Sequence, residues 1–322
     1  MQVITDLTTL TPREDVFLTV GVFDGVHLGH QHLVGQLVQR AWEEGGLSVL
    51  LTLHPHPREV LAPQQPVEYL TTLEEKLNLL GELGLDVVIV LTFTQEVART
   101  SARDFILTLT RHLRLKELWV GPDFALGHQR QGDVAFLRHL GRELGFVVRV
   151  IEPFCLEGEI VSSSRIRTLL TQGRVSDAAR LLGRYPRLRG EVVVGAERGR
   201  VLGFPTANLS LNEHQVIPAD GVYAVQARLG EETLAGVANI GVRPSFGNGE
   251  RTVEAHLLDF EGDIYGQELE LRFVQRLRDE QRFSSVDQLA AQIERDIKTA
   301  RRILSGYPED TAEKDENGGQ AI

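Results

Sequence analysis

Two segments of this chain combine glycines with side chains that bind phosphate. One is Gly21-Val22-Phe23-Asp24-Gly25-Val26-His27-Leu28-Gly29-His30. The other is Gly199-Arg200-Val201-Leu202-Gly203-Phe204-Pro205-Thr206-Ala207-Asn208. The first follows an apolar run and opens a helical pattern. Its Gly25 and Gly29 let the backbone approach a ligand closely. A helix N-terminus there offers free N–H groups and the positive end of the dipole, which together attract an anion. His27 and His30 are three residues apart, so both rings can face one ligand and stabilise charge on a transferred phosphoryl group. The pattern is neither a Gly-Lys-Ser/Thr phosphate loop nor a GxGxxG dinucleotide turn. A bare HxGH would read as two surface histidines. Phe23-Asp24-Gly25 in front, after a first strand, favours a ligand site.

Three further segments end predicted strands. His54-Pro55-His56-Pro57 closes the second strand, where ligands of open α/β sheets bind. Zinc is one rival reading of His54 and His56, but Pro55 and Pro57 disturb the alternation that would put both on one face. A structural turn is another rival. Gly121-Pro122-Asp123-Phe124-Ala125-Leu126-Gly127 could set Asp123 beside a ribose or base, or be a turn with Asp123 as a local cap. Ser162-Ser163-Ser164-Arg165-Ile166-Arg167 feeds a helix. Its hydroxyls, its helix N-terminus and Arg165 would together hold a polyphosphate. Read alone, it is an N-cap followed by a solvated arginine.

The elements that must position these residues fall into two rhythms. Up to about residue 182, short apolar runs (16–20, 48–53, 87–91, 117–120, 147–151) alternate with amphipathic stretches near 30–44, 73–84, 101–113 and 134–144. Ser101 with Asp104 fits a capping box. This alternation predicts a parallel sheet covered by helices on both faces. Past about residue 185, strand-like runs (189–194, 221–228, 234–239, 252–260, 268–273) follow one another across Gly-rich turns. They predict a small antiparallel barrel or sandwich. A final helix is expected where Val286, Leu289, Ile293, Ile297, Ala300 and Leu304 recur at helical spacing, capped by Ser284 with Asp287. The expected domains are 1–184 and 185–305, divided at Gly183-Arg184-Tyr185-Pro186, with a polar, disordered tail over 306–322.

Bulk composition narrows the class. A length of 322 residues accommodates two ordinary cores. Charges of 34 basic against 45 acidic residues give a net −11, which speaks against a general nucleic-acid binder. Cys155 is the only cysteine, which excludes an intrachain disulfide or a CxxC site and suits a reducing cytoplasm. No basic, then apolar, leader opens the sequence. No apolar run approaches the roughly 20 residues of a membrane span.

In this order, GVFDGVHLGH, the HPHP turn, GPDFALG and SSSRIR resemble the adenylyltransferase module of prokaryotic bifunctional riboflavin kinase/FAD synthetases. The resemblance implies a Rossmann-like nucleotidyltransferase fold in which His27 and His30 contact ATP phosphates. It adds Gly21, Phe23, Asp24, Gly25 and Gly29 to the phosphate site, and matches Ser163, Ser164 and Arg165 to the family's ISSTxIR segment. His54, His56 and Asp123 would face flavin or nucleotide. Ser164 stands where the family usually has Thr, Leu126 where it often has Phe, and Asp123 where some relatives have Asn.

The C-terminal half resembles the riboflavin kinase module. Gly195 and Gly199-Arg200, then Gly203-Phe204-Pro205-Thr206-Ala207-Asn208, match its glycine stretch and GRxLGFPTAN motif, and Asn239 to Pro244 and Glu254 to Phe260 follow in family order. The implied chemistry is γ-phosphoryl transfer to a sugar-like hydroxyl. Gly195, Gly199, Gly203, Phe204 and Pro205 would approach ATP. Thr206 and Asn208 would supply neutral oxygens to Mg²⁺, and Glu254 would accept the hydroxyl proton. Taken singly, PTAN could be an edge strand and Glu254 a solvated strand residue. The resemblance implies conversion of riboflavin to FMN and of FMN to FAD, with ATP as co-substrate, Mg²⁺ as cofactor, and neither nucleic acid nor membrane as partner. The alternatives are a single live module, or a flavin-binding protein without catalysis.

Overall fold

The computed structural model describes residues 1–65, 67–195, 203–211, 214–242 and 251–306. Gly199, Arg200, Arg243 and Pro244 lie outside the described residues, as does the expected tail beyond residue 306. The chain forms two compact units. The first comprises Met1–Thr168, Arg180–Arg184 and Glu213–Val216; the second comprises Leu169–Ala179, Tyr185–Asn212 and Ile217–Ile322.

The first unit is built on a six-stranded sheet, parallel throughout. Its strands are β1 (Gln2–Ile4), β2 (Val16–Gly21), β3 (Leu47–His54), β4 (Val87–Thr92), β5 (Leu115–Val120) and β8 (Val147–Val150). Their order is β1-β4-β3-β2-β5-β8. Parallel strands buried on both faces read as continuous apolar runs, as Val16–Val20 and Val87–Val90 do. One face packs Leu18, Val20, Val49, Leu51 and Ile89 against Ile106, Leu109, Leu137 and Leu140. The other packs Phe17, Leu50, Val88 and Val90 against Val34, Leu37 and Leu80. The covering helices are α1 (Leu28–Glu43), α3 (Leu73–Glu82), α5 (Ala102–His112) and α6 (Val134–Leu144), with short helices α2 (Pro57–Leu61) and α4 (Gln95–Arg99) between them. Ser101 caps α5 as expected, accepting from Asp104 N–H at 3.0 Å. Two small antiparallel pairs complete the loops: β6 (Ala125–Leu126) with β7 (Gly132–Asp133), and β9 (Cys155–Leu156) with β10 (Glu159–Ile160).

Chain order reverses at β2: β3 lies on one side and β5 on the other. Such a switch point opens a crevice at the carboxyl ends of the strands. The glycine-histidine segment leaves β2 there, and Gly121 leaves β5 beside it. Helices α7 (Ser163–Thr171) and α8 (Val175–Leu182) follow β10.

The second unit resolves the choice between barrel and sandwich. Strands β11 (Arg187–Val193), β12 (Ala207–Leu211), β15 (Arg251–Leu257), β14 (Glu232–Val242), β13 (Gly221–Leu229) and β16 (Glu268–Arg278) form a closed antiparallel barrel in that order. Closure comes from β11 pairing with both β12 and β16, which leaves no free edge. Tyr223 and Phe273 meet edge-to-face in the core with centroids 5.4 Å apart. Helix α9 (Val286–Leu304) lays Ala300 and Leu304 against Ala224 and Val274. Its N-cap is Ser285, which accepts from Gln288 N–H, rather than Ser284; the Ser284 hydroxyl instead bonds the Gln288 side chain.

Candidate active sites

In the first unit the loop after β2 turns sharply. Phe23 (φ 52°) and Val26 (φ 38°) both adopt left-handed backbone, and Gly25 has φ 82°. A Cβ on Gly25 would also lie 2.7 Å from Leu70, so glycine is required twice over. Asp24 holds the turn. It is buried, and its carboxylate accepts from the Leu70 and Thr71 N–H groups and from Arg167. Arg184 closes the other side by donating to the Gly25 carbonyl at 2.7 Å. Asp24 thus braces the loop; a carboxylate turned toward phosphate would repel it.

His27 caps α1 through Nδ1, which accepts from His30 N–H at 3.3 Å. That bond places the ring proton on Nε2, free to donate outward. The His27 and His30 rings stack with centroids 3.6 Å apart. Burial, then the nearby Arg184 and Arg167, pushes the His27 pKa down to about 4. Burial, then the charges of His27 and Lys76, holds His30 well below the usual imidazole range. Both rings are therefore neutral near pH 7, each with one N–H to give.

They form one wall of a cavity of about 550 Å³, closed by Gly29, Asp123, Ser162, Ser163, Ser164 and Arg167. Helix α7 begins at Ser163 and aims its N-terminus here, and the Ser163 hydroxyl donates to the Asp24 carbonyl at 2.9 Å. A second cavity of about 760 Å³ shares Val22, His56, Arg58, Asp123 and Phe124 as walls. Apolar side chains line most of the rest of it, among them Leu53, Leu61, Phe93, Phe105 and Leu126, with Thr100, His128, Gln129 and Arg130 also on its wall. The smaller cavity has the larger share of polar lining and the larger one is mainly apolar, and His56 and Asp123 stand where they meet.

The predicted residues do not all converge. His54 lines neither cavity, although its ring lies near Tyr69. Among the described residues no cluster of His, Cys, Asp or Glu could hold a metal, so the zinc reading of the HPHP turn finds no support. Arg165 turns away and pairs with Glu159. Arg167 lines the cavity in its stead. The signal was in the motif: in ISSTxIR the last position falls on Arg167, and Arg165 occupies the variable one. Arg58, on the wall common to both cavities, also escaped the sequence reading.

In the barrel, β12 carries Asn208 and runs between β11 and β15. Asn208 stands opposite Glu254, and Glu254 opposite Asn239, so the three share one face across adjacent strands. Asn208 is buried. A Cβ on Gly195 would lie 2.1 Å from the Asn208 amide, so Gly195 makes room for that side chain. His256, two residues beyond Glu254, contacts the Pro205 carbonyl at 2.8 Å and meets Phe204 edge-on. It anchors the segment that carries Thr206. Gly203 adopts φ 83° just before that segment. Asn208 and Glu254 thus bring side-chain oxygens to one face of the barrel wall, and Thr206 lies two residues before Asn208.

A parallel α/β unit with a histidine-walled cavity at its switch point, joined in one chain to a six-stranded barrel bearing an Asn-Glu-Asn row, is the architecture of a two-module enzyme, and the comparisons with known proteins give its class. Residues 10–165 match the FAD synthetase family and residues 182–304 the riboflavin kinase family. The chain is 43% identical over 296 residues to the bifunctional riboflavin kinase/FMN adenylyltransferase of Escherichia coli K12, covering 91% of this chain and 94% of the relative. The protein of the same description from Pseudomonas fluorescens is 40% identical over 308 residues, covering 95% and 98%. A Streptococcus pneumoniae structure described as a macrolide-efflux protein matches with TM-score 0.85 at 30% identity, over 93% of this chain and 98% of that one. Among the described residues, no helix is long and apolar enough to cross a membrane. The chain belongs to the bifunctional riboflavin kinase/FMN adenylyltransferase family, with the kinase C-terminal and the adenylyltransferase N-terminal.

Proposed function

We propose a division of labour among the residues of the two sites. In the N-terminal unit, residues 1–184, the polar cavity takes ATP and the apolar cavity takes the flavin ring of FMN. Their common wall, at His56 and Asp123, is where the FMN phosphate would meet the α-phosphorus. Adenylyl transfer joins the FMN phosphate to AMP and releases pyrophosphate. The nucleophile is a phosphate already largely ionised at neutral pH, so the site needs donors rather than a base. Neutral His27 and His30, the Ser164 hydroxyl, the α7 N-terminus that Ser163 opens and Arg167 are such donors. The paired cavities carry this reading: their sizes and linings match the two halves of the product.

In the C-terminal unit, residues 185–305, Glu254 takes the proton of the riboflavin hydroxyl as it attacks the γ-phosphorus of ATP. Thr206 and Asn208 would hold Mg²⁺, which, when bound, would neutralise phosphate charge. Gly195, Gly203, Phe204 and Pro205 shape the ATP approach. A reducing cytoplasm is the compartment we propose, and a chain with a single cysteine suits it.

The test is a time course with riboflavin, ATP and Mg²⁺, with flavins resolved by chromatography. FMN should appear first and FAD should accumulate after it. FMN without FAD would refute the N-terminal assignment, and no conversion would refute both.

A further inference from the structure

Lys76 lies on α3, on the face that carries Leu79 and Leu80, and only 3% of it is exposed. A leucine or methionine would fill that space without the cost of desolvating an ammonium. No carboxylate pairs with it within salt-bridge distance among the described residues. Its Nζ donates instead to the Val22 carbonyl at 3.1 Å and to Thr52 Oγ1 at 3.0 Å. The Thr52 hydroxyl donates to the same carbonyl at 2.9 Å, which closes a triangle. The nearest carboxylate, Asp24, is committed to Leu70, Thr71 and Arg167.

We infer that Lys76 is a positioning residue for adenylyl transfer, fixing the Val22–Phe23 peptide from the core side so that its N–H faces the phosphate cavity. A trans peptide points its C=O and N–H in opposite directions. Lys76 and Thr52 draw the Val22 carbonyl inward, toward α3 and β3. The Phe23 N–H therefore points outward, and both Val22 and Phe23 line the polar cavity while Lys76 does not. The same bonds hold Phe23 in its left-handed conformation, which a phenylalanine does not adopt without restraint.

The ammonium also acts at longer range. The titratable groups that face it are Asp24 from the loop, His30 from α1 and His54 from the end of β3. Its charge opposes protonation of both histidines. Burial is the larger reason that both imidazoles stay neutral, and the ammonium adds to it from outside the cavity that His30 lines.

The inference rests on adenylyl transfer occurring at this cavity. The experiment measures FAD formation from FMN and ATP, across pH, by full-length wild type, Lys76→Met and Lys76→Gln, with riboflavin phosphorylation by the same samples as a control. In K76M, kcat for FAD should fall on the order of tenfold, KM for FMN should hold, and the acidic limb of the rate profile should move to higher pH. K76Q keeps a donor for the Val22 carbonyl but no charge, so it should regain part of kcat and keep the shifted limb. FAD formation by K76M within about twofold of wild type would overturn the inference. So would a slower rate with an unmoved limb in both variants, which marks a packing role only. Should K76M fail to fold, K76Q is judged by its limb alone. His30→Ala separates the two ideas: full FAD formation by that variant would remove the cavity assignment, whatever Lys76 does.

Discussion

In the first unit, imidazoles, hydroxyls and a helix N-terminus surround the cavity proposed for phosphate, and the Asp24 carboxylate is locked into the loop that carries the histidines. In the barrel, a carboxylate stands at the centre: Glu254 lies between Asn208 and Asn239. The nucleophiles account for the contrast. A phosphomonoester arrives ionised and needs orientation and charge stabilisation, whereas an alcohol must lose a proton as it attacks. The supporting structure differs in the same sense. The histidines are held by a strained turn that Asp24, Arg184 and Lys76 brace from several sides. The Asn-Glu-Asn row needs no such bracing, because strand register alone aligns three side chains on a barrel wall.

The sharpest way to break this contrast is to remove the base. Glu254→Gln keeps size and hydrogen bonding but cannot take a proton. Riboflavin phosphorylation should fall by roughly 10² to 10⁴, while FAD formation from supplied FMN stays near wild type. Equal loss of both activities in a folded protein would show that the sites are not chemically separate. Next is His30→Ala, which removes one donor and a stacking partner of His27. FAD formation should drop on the order of a hundredfold with FMN formation intact. A rate that survives would mean the imidazoles only fill space.

A finer test separates two arginines that lie two positions apart. Arg167 lines the cavity and braces Asp24, whereas Arg165 pairs with Glu159 at the small hairpin. Arg167→Ala should cost FAD formation on the order of tenfold or more. Arg165→Ala should cost no more than about the worth of an exposed ion pair. The reverse order would restore Arg165 to the phosphate site.

That pair of arginines also shows what the sequence could and could not reveal. The central strands β2, β3 and β4 were legible because strands buried on both faces leave long apolar runs, and β5 and β8 because shorter apolar runs recur between helical patterns. The edge strand Gln2–Ile4 was not: three residues, two of them exposed, carry no pattern. Strand β12 was legible only as a possible edge strand, because PTAN-LSL mixes polar residues with a leading proline; in the barrel it pairs on both sides. Motif spacing found His27, His30, Asn208 and Glu254, whose chemistry is unusual for their positions. It chose Arg165 where Arg167 lines the cavity, because spacing does not say which way a side chain turns. It passed over Lys76 entirely, since a lysine between Glu75 and Leu77 on an amphipathic helix looks solvated, and its burial follows from the packing of α3 against β3.

The smallest effect is thermodynamic and concerns His27. Its pKa falls from 6.5 to about 4 on folding. As pH drops below 6.5, the unfolded chain takes up a proton that the folded chain refuses. Stability present above that value is therefore lost progressively down to about pH 4. One pH unit below 6.5, the loss from this residue is about 1 kcal/mol. Both tryptophans, Trp42 and Trp119, lie in the first unit, so their fluorescence follows that unit's unfolding in urea. His27→Asn sharpens the reading. Asparagine is among the best N-caps and can still accept from the His30 N–H, yet it does not titrate. The variant should match wild type near pH 7.5 and become relatively more stable as pH falls toward 5. Parallel losses in both proteins would place the acid sensitivity elsewhere, and His30, its partner in the stack, would be the next residue to replace.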